Sequence, residues 1–202
     1  MKAIIFDMGG VLLDLDIEEC KTAFKEDLGF VEIDALLDPC HQKGIIGDME
    51  GGLISGEDFC DYIKAASREG TTDDDVKNAF RKIVVGIAPY KGQMLLKLAE
   101  KYDLYILSNN NPIVMPFAEE LFKSAGFPLD RFKKSYLSYE MKMLKPSDEM
   151  FKAVMNDIGL PAEEMFFIDD SQSNVDASIA AGLPAVYYKP GTDLDALIAS
   201  VL

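Results

Sequence analysis

Two textures of hydrophobic and polar positions divide the chain. Residues 2–7 and roughly 88–202 carry short continuous apolar runs separated by helical patterns. Strands buried on both faces of a parallel sheet read this way, and their alternation with helices marks βαβ units. The runs predict strands at residues 2–7, from Lys101 to Asn109, at Tyr136-Leu137-Ser138, at 165–169 and from Ala185 to Tyr188. Helices are predicted over Gln93 to Leu98, and from Asn111-Pro112 with Val114, Phe117, Leu121 and Phe122 on one face. Another is expected to open at Pro146, suited to a first helical turn, with Phe151, Val154 and Ile158 before a terminating Gly159. A last one spans about 174–181 and stops at Gly182.

Residues of about 15–87 have no such runs. Ile17, Cys20, Phe24 and Leu28 share a helical face, as do Phe59, Tyr62, Ile63 and Ala66, then Val76, Phe80, Ile83 and Val84. Ser55-Gly56-Glu57-Asp58 has the form of a capping box, and Thr72 precedes an acidic first turn, Asp73-Asp74-Asp75. A helix start explains that triplet better than a cation site. The pattern predicts an α/β, Rossmann-like parallel-sheet core from residues 1–14 and 88–202, with a helical bundle of residues 15–87 inserted after the first strand.

Composition narrows the partners. Hydrophobic residues make up 49% of the 202, ample for a core, and the ten methionines suit its gaps. Acidic residues outnumber basic ones 35 to 20, a formal charge of −15, which argues against nucleic acid or an anionic membrane as partner. Cys20, Cys40 and Cys60 form no C-x-x-C pair, so a reducing, cytoplasmic setting is expected. The first apolar run is too short for a signal peptide or a membrane span. His41, the only histidine, falls in the insert and reads as structural.

The ends of the apolar runs carry the chemistry. In an open α/β sheet, ligands sit beyond the carboxyl ends of the strands. There the chain places Asp7, then Ser108-Asn109, then Asp169-Asp170, with Lys145 just before a helix. Asp7 and Asp170 are hard oxygen ligands suited to Mg²⁺, and an aspartate beside such an ion also serves as a nucleophile. Ser108, Asn109 and Lys145 supply a clamp for phosphoryl oxygens. Gly9 and Gly10 let the backbone turn sharply beside it.

In this order the motifs resemble those of the haloacid dehalogenase (HAD) superfamily of hydrolases, of the kind with a helical cap inserted after the first motif (subfamily IA). Phe6-Asp7-Met8-Gly9-Gly10-Val11 resembles the first motif, Leu107-Ser108-Asn109 the second, Lys145-Pro146 the third, and Phe167-Ile168-Asp169-Asp170-Ser171 with Asn174 the fourth. The resemblance implies a Mg²⁺-dependent phosphatase acting on a small phosphorylated metabolite through an aspartyl-phosphate. Asp7 is then the nucleophile and Asp170 a metal ligand, with Asn174 holding a metal-bound water, Asp169 beside the ligand, and the Gly9 carbonyl on the metal. Gly9 to Asp16, and Tyr136 to Pro146, look closest to the bacterial subclass that includes an α-glucose-1-phosphate phosphatase.

The chain departs from the family at one place: most family phosphatases carry a general-acid aspartate two residues after the nucleophile, where this chain has Gly9. Asp14 and Asp16 are the candidates for meeting substrate or donating that proton, although Asp16 also suits a helix N-cap. Without an acid, leaving groups that carry charge well, sugar 1-phosphates among them, are expected to be preferred over primary alcohols. The alternatives are a binding or regulatory protein with little turnover and a metal-free dehalogenase. The paired Asp169-Asp170 speaks for phosphoryl chemistry over the latter.

Overall fold

The computed structural model describes residues 1–37 and 43–201; Cys40 and His41 lie outside them. The first half of the chain contains β1 (Ala3–Phe6), β2 (Asp14–Leu15), α1 (Ile17–Glu26), α2 (Ile33–Leu36), α3 (Gly44–Glu50), α4 (Gly56–Ala65), α5 (Asp73–Arg81), β3 (Val84–Gly86) and α6 (Pro89–Ala99). There follow β4 (Asp103–Ser108), α7 (Met115–Ser124), β5 (Lys134–Leu137), α8 (Ser138–Met141), α9 (Asp148–Ile158), β6 (Met165–Asp169), α10 (Gln172–Ala180), β7 (Ala185–Tyr187) and α11 (Leu194–Val201).

Five strands form one sheet in the order β5-β4-β1-β6-β7, with every pairing parallel. β1 takes the centre because all four of its residues are apolar and buried, so neither face tolerates solvent. Ile4 and Phe6 face one way, with Ile106, Leu95 and Phe122; Ala3 and Ile5 face the other, with Phe167 and with Phe151 and Val154 of α9. Phe6 lies level with Ile106 and Ile168. The next residues, Asp7, Leu107-Ser108 and Asp169-Asp170, therefore leave three adjacent strands at the same edge.

The chain enters and leaves the insert through β2 and β3, which pair antiparallel. Its helices start where the sequence signals them. Ser55 and Asp58 form a reciprocal capping box, as do Thr72 and Asp75, and Asp16 accepts from the Glu19 N–H at 2.9 Å as the N-cap of α1. The acidic triplet belongs to a helix start, with Asp73 paired to Lys64. Phe80 packs against Phe24 and Phe59 at ring-centroid distances of 5.9 and 5.4 Å. That aromatic cluster continues through Val11, Leu12 and Leu13 to Ile4 and Phe6, so insert and sheet share one apolar core.

Several boundaries differ from the sequence reading, each for a local reason. Helix α5 ends at Arg81, and Val84 belongs to β3; the β-branched run Ile83-Val84-Val85 favours extended backbone. Pro146 is not the first residue of α9, because Ser147 caps that helix by accepting from the Met150 N–H at 3.3 Å. Helix α7 begins at Met115, since Asn111 Oδ1 accepts from the N–H groups of Ile113 and Val114 and holds a turn there. Ser138 opens α8, and the terminal helix α11, buried through Leu194 and Ile198, was not anticipated. No helix among the described residues is long and apolar enough to cross a membrane.

Candidate active site

A cavity of about 290 Å³ opens at the carboxyl edge of the sheet, lined by Asp7, Gly9, Ser108, Asn109, Lys145, Asp170 and Asn174 among others. The sheet order makes this inevitable: β1 delivers Asp7, its neighbour β4 delivers Ser108, and its other neighbour β6 delivers the acidic pair. A larger cavity, about 690 Å³, lies between α4, α5 and the segment after β4, and contains none of these groups. The smaller one gathers the titratable and metal-ligating groups.

Lys145 is the hub. It is 3% exposed, and its Nζ lies 3.0 Å from Asp7 Oδ1 and 2.7 Å from Asp169 Oδ2. Burial opposes its charge, but Asp169 and Asp7 outweigh burial and hold its pKa above the usual lysine value. Asn109 fixes its backbone from both sides. The Asn109 Nδ2 donates to the Lys145 carbonyl and its Oδ1 accepts from the Lys145 N–H, both at 2.9 Å. Asn109 thus positions the lysine through the chain.

The two adjacent aspartates have different jobs. Asp169 is fully buried and saturated with donors: Lys145, the Ser171 N–H at 2.7 Å, and Asn174 Nδ2 at 3.0 and 3.1 Å. Asp170, not Asp169, lines the cavity. Burial and then Asp169 push its carboxyl up to about 6. Asp7 is pushed up to about 7 by burial, against Lys145, with Asp169 and Asp170 adding to the rise. Asp7, Asp169 and Asp170 bring their ligand atoms within 4.8 Å of one another. Gly10, at φ 71°, closes this corner, since a Cβ there would overlap the Asp170 carboxylate.

This corner fits a divalent cation. Asn174 gives its Nδ2 to Asp169 and leaves its Oδ1 buried without a hydrogen-bond partner among the described residues. An orphaned buried oxygen is costly and calls for a donor or a cation. Crowded carboxylates with raised pKa values and a spare amide oxygen form a hard, all-oxygen donor set, the kind Mg²⁺ takes.

The remaining predicted residues are elsewhere. Asp14 pairs at 2.8 Å with Lys91, which is 1% exposed, and Asp16 caps α1; neither lines the cavity. Glu50, at the end of α3, does line it and was not foreseen. Burial pushes its carboxyl up to about 8; the Asn111 side chain works against the rise, Asp7 adds to it and Lys145 opposes it. The available signal was Gly51-Gly52 directly after it, a break inside the insert.

The chain as a whole is similar to known proteins. D-ribitol-5-phosphate phosphatase of Bacteroides thetaiotaomicron is 33% identical over 195 residues, spanning 96% of this chain and 94% of its own. A HAD family enzyme of the same organism, solved in complex with magnesium and inorganic phosphate, superposes with a TM-score of 0.90 at 39% identity over 98% of both chains. A HAD-like family hydrolase of Porphyromonas gingivalis does so with a TM-score of 0.90 at 32% identity, over 100% of this chain and 97% of that one. The family of haloacid dehalogenase-like hydrolases matches residues 1–182, and this chain belongs to it.

Proposed function

We propose that the protein is a Mg²⁺-dependent phosphatase acting on a small phosphorylated sugar or polyol. The carrying observation is the pairing of Asp7 with buried Lys145 at 3.0 Å, on one cavity with Asp170 and the unpartnered Asn174 Oδ1. Asp7 attacks phosphorus and forms the aspartyl-phosphate while Lys145 and Ser108 hold the phosphoryl oxygens. Water then cleaves the P–O bond to Asp7. Asp7, the Gly9 carbonyl and Asp170 would hold the cation, with Asn174 bearing on a bound water. When bound, the cation neutralises charge on the phosphoryl oxygens. The magnesium and phosphate of the Bacteroides structure support this reading.

For the leaving group, the likeness to a D-ribitol-5-phosphate phosphatase favours a phosphate on a terminal hydroxyl of a polyol or sugar. The expectation of a sugar 1-phosphate rests on the missing side chain at Gly9 and on the subclass resemblance. Residues 15–87 act as the cap over a core of 1–14 and 88–202, supported by the β2–β3 pairing at the crossing points. The test is phosphate release from a panel of polyol, terminal sugar and 1-phosphorylated sugar esters, with Mg²⁺ and with chelator. Release that depends on Mg²⁺ and peaks on terminal phosphates is expected. Chelator-insensitive release, or none from any ester, overturns the proposal.

A further inference from the structure

Glu50 is the one acid that the insert contributes to the reaction cavity among the described residues. It is the last residue of α3, followed by Gly51 and Gly52. Gly52 has φ 67°, and a Cβ there would overlap the Tyr139 carbonyl, so this turn rests directly on the backbone of α8. Such contact between insert and core sets Glu50 over the cavity, where it shares the lining with Asp7, Gly9, Lys145 and Asp170. Asn111 lies beside it, and the two line a second small cavity together. The Asn111 Oδ1 accepts from the N–H groups of Ile113 at 3.1 Å and Val114 at 3.0 Å, which fixes the Asn111 amide next to the Glu50 carboxyl.

Expelling an alkoxide from a phosphate monoester needs a proton, and Gly9 has none to give. Asp7 makes the bond to phosphorus. Lys145 is tied to Asp7 and Asp169. Asp14 and Asp16 are engaged outside the cavity. Resting on the phosphatase reading above, we propose that Glu50 is the proton donor to the leaving group, delivered by the insert in place of a side chain at position 9. Burial pushes its carboxyl up to about 8, which favours the protonated form at neutral pH that the role requires. As Asp7 bonds to phosphorus, the ester P–O bond breaks, its electron pair passes to the leaving oxygen, and that oxygen takes the Glu50 proton. Anionic Glu50 then accepts a proton from the water that attacks phosphorus and releases Asp7.

Esters of differing leaving group read this directly. kcat/KM is measured with Mg²⁺ for D-ribitol 5-phosphate and para-nitrophenyl phosphate, in the parent and in Glu50→Gln, which keeps the size of the neutral acid. A general acid is worth roughly 10²–10⁴ in rate. The alkyl ester is expected to lose about a hundredfold or more, and the aryl ester at least about tenfold less than that, because its leaving group needs little protonation. Adding Gly9→Asp to Glu50→Gln should recover part of the alkyl rate. Equal losses on both esters, or no loss on either, overturn the proposal. A second measurement needs no variant: log kcat/KM of the parent against leaving-group pKa across aryl and alkyl phosphates should be shallow. A steep negative slope would mean that no acid acts. A parent that releases phosphate from neither ester overturns the phosphatase reading itself, and the role of Glu50 with it.

Discussion

Asp7 and Lys145 define each other at the scale of single residues. With its carboxyl pushed up to about 7 by burial, Asp7 depends on the lysine, and on any cation, to be ionised at neutral pH. Asp7→Asn preserves size but removes the proposed nucleophile, so turnover should vanish while the fold persists. Activity within about tenfold of the parent, against the hundredfold or more a lost nucleophile costs, would exclude the role. Lys145→Ala strips the charge from between two buried carboxylates, and should lower kcat/KM about a hundredfold, more than Lys145→Arg does. It should also destabilise the metal-free protein by about 3–5 kcal/mol, read from urea denaturation; a loss in neither quantity would show that the Lys145 charge serves neither catalysis nor the fold. The sequence makes Asp7, Ser108 and Asp170 conspicuous because each closes or follows a short apolar run, and strand ends gather at one edge. Glu50 carries no such mark. It sits on a short helix of the insert, and only tertiary contact brings α3 over the sheet. Nor does the sequence say that Asp169 is saturated by donors while Asp170 faces the cavity, since neighbours in a chain differ by packing alone.

Among the elements, those with a strong period were legible and those made by long-range contact were not. The five parallel strands follow from continuous apolar runs, and the capping boxes of α4 and α5 from their spacing. The β2–β3 pair is only two and three residues long and exists because two distant segments meet. Helix α8, four residues at the end of β5, likewise has no period to read. It nevertheless supports the turn at Gly52, and a paired substitution isolates that contact. Gly52 and Gly126 both have positive φ, but a Cβ at Gly52 meets the Tyr139 carbonyl, whereas at Gly126 nothing among the described residues lies within 4 Å. Gly126→Ala should cost only the left-handed backbone penalty, about 1–2 kcal/mol. Gly52→Ala should cost more, because a backbone carbonyl cannot rotate away, and should lower the rate on an alkyl phosphate by displacing Glu50. Equal losses of stability in the two variants would show that the turn does not bear on α8.

For the whole molecule, the shared apolar core makes insert and sheet one cooperative unit, while the cavity works against stability. Phe80→Ala should cost roughly 3–5 kcal/mol and unfold insert and sheet in a single transition; two separated transitions would show that the core is not shared. The cavity's effect depends on pH and on the cation. Asp7 and Asp170 have ordinary values of 3.8 and are raised to about 7 and about 6 in the fold. Between those limits the folded state binds more protons than the unfolded one, so unfolding free energy falls as pH rises. The contribution is fully present below 3.8 and is lost as pH climbs through about 6 to about 7. A bound cation replaces those protons and binds the ionised form, so it opposes the loss. Melting temperature in chelator should therefore drop between about pH 4 and about pH 7, and drop less with excess Mg²⁺. The net charge of −15 also weakens the fold as carboxylates ionise, so the comparison that decides is with Asp7→Asn and Asp170→Asn. Each neutral amide should flatten the chelator profile, raise the melting temperature at the alkaline end, and shrink the gain from Mg²⁺. A parent profile in chelator that matches both variants would mean that these carboxylates are not held protonated by the fold, and the electrostatic account of the cavity would be wrong.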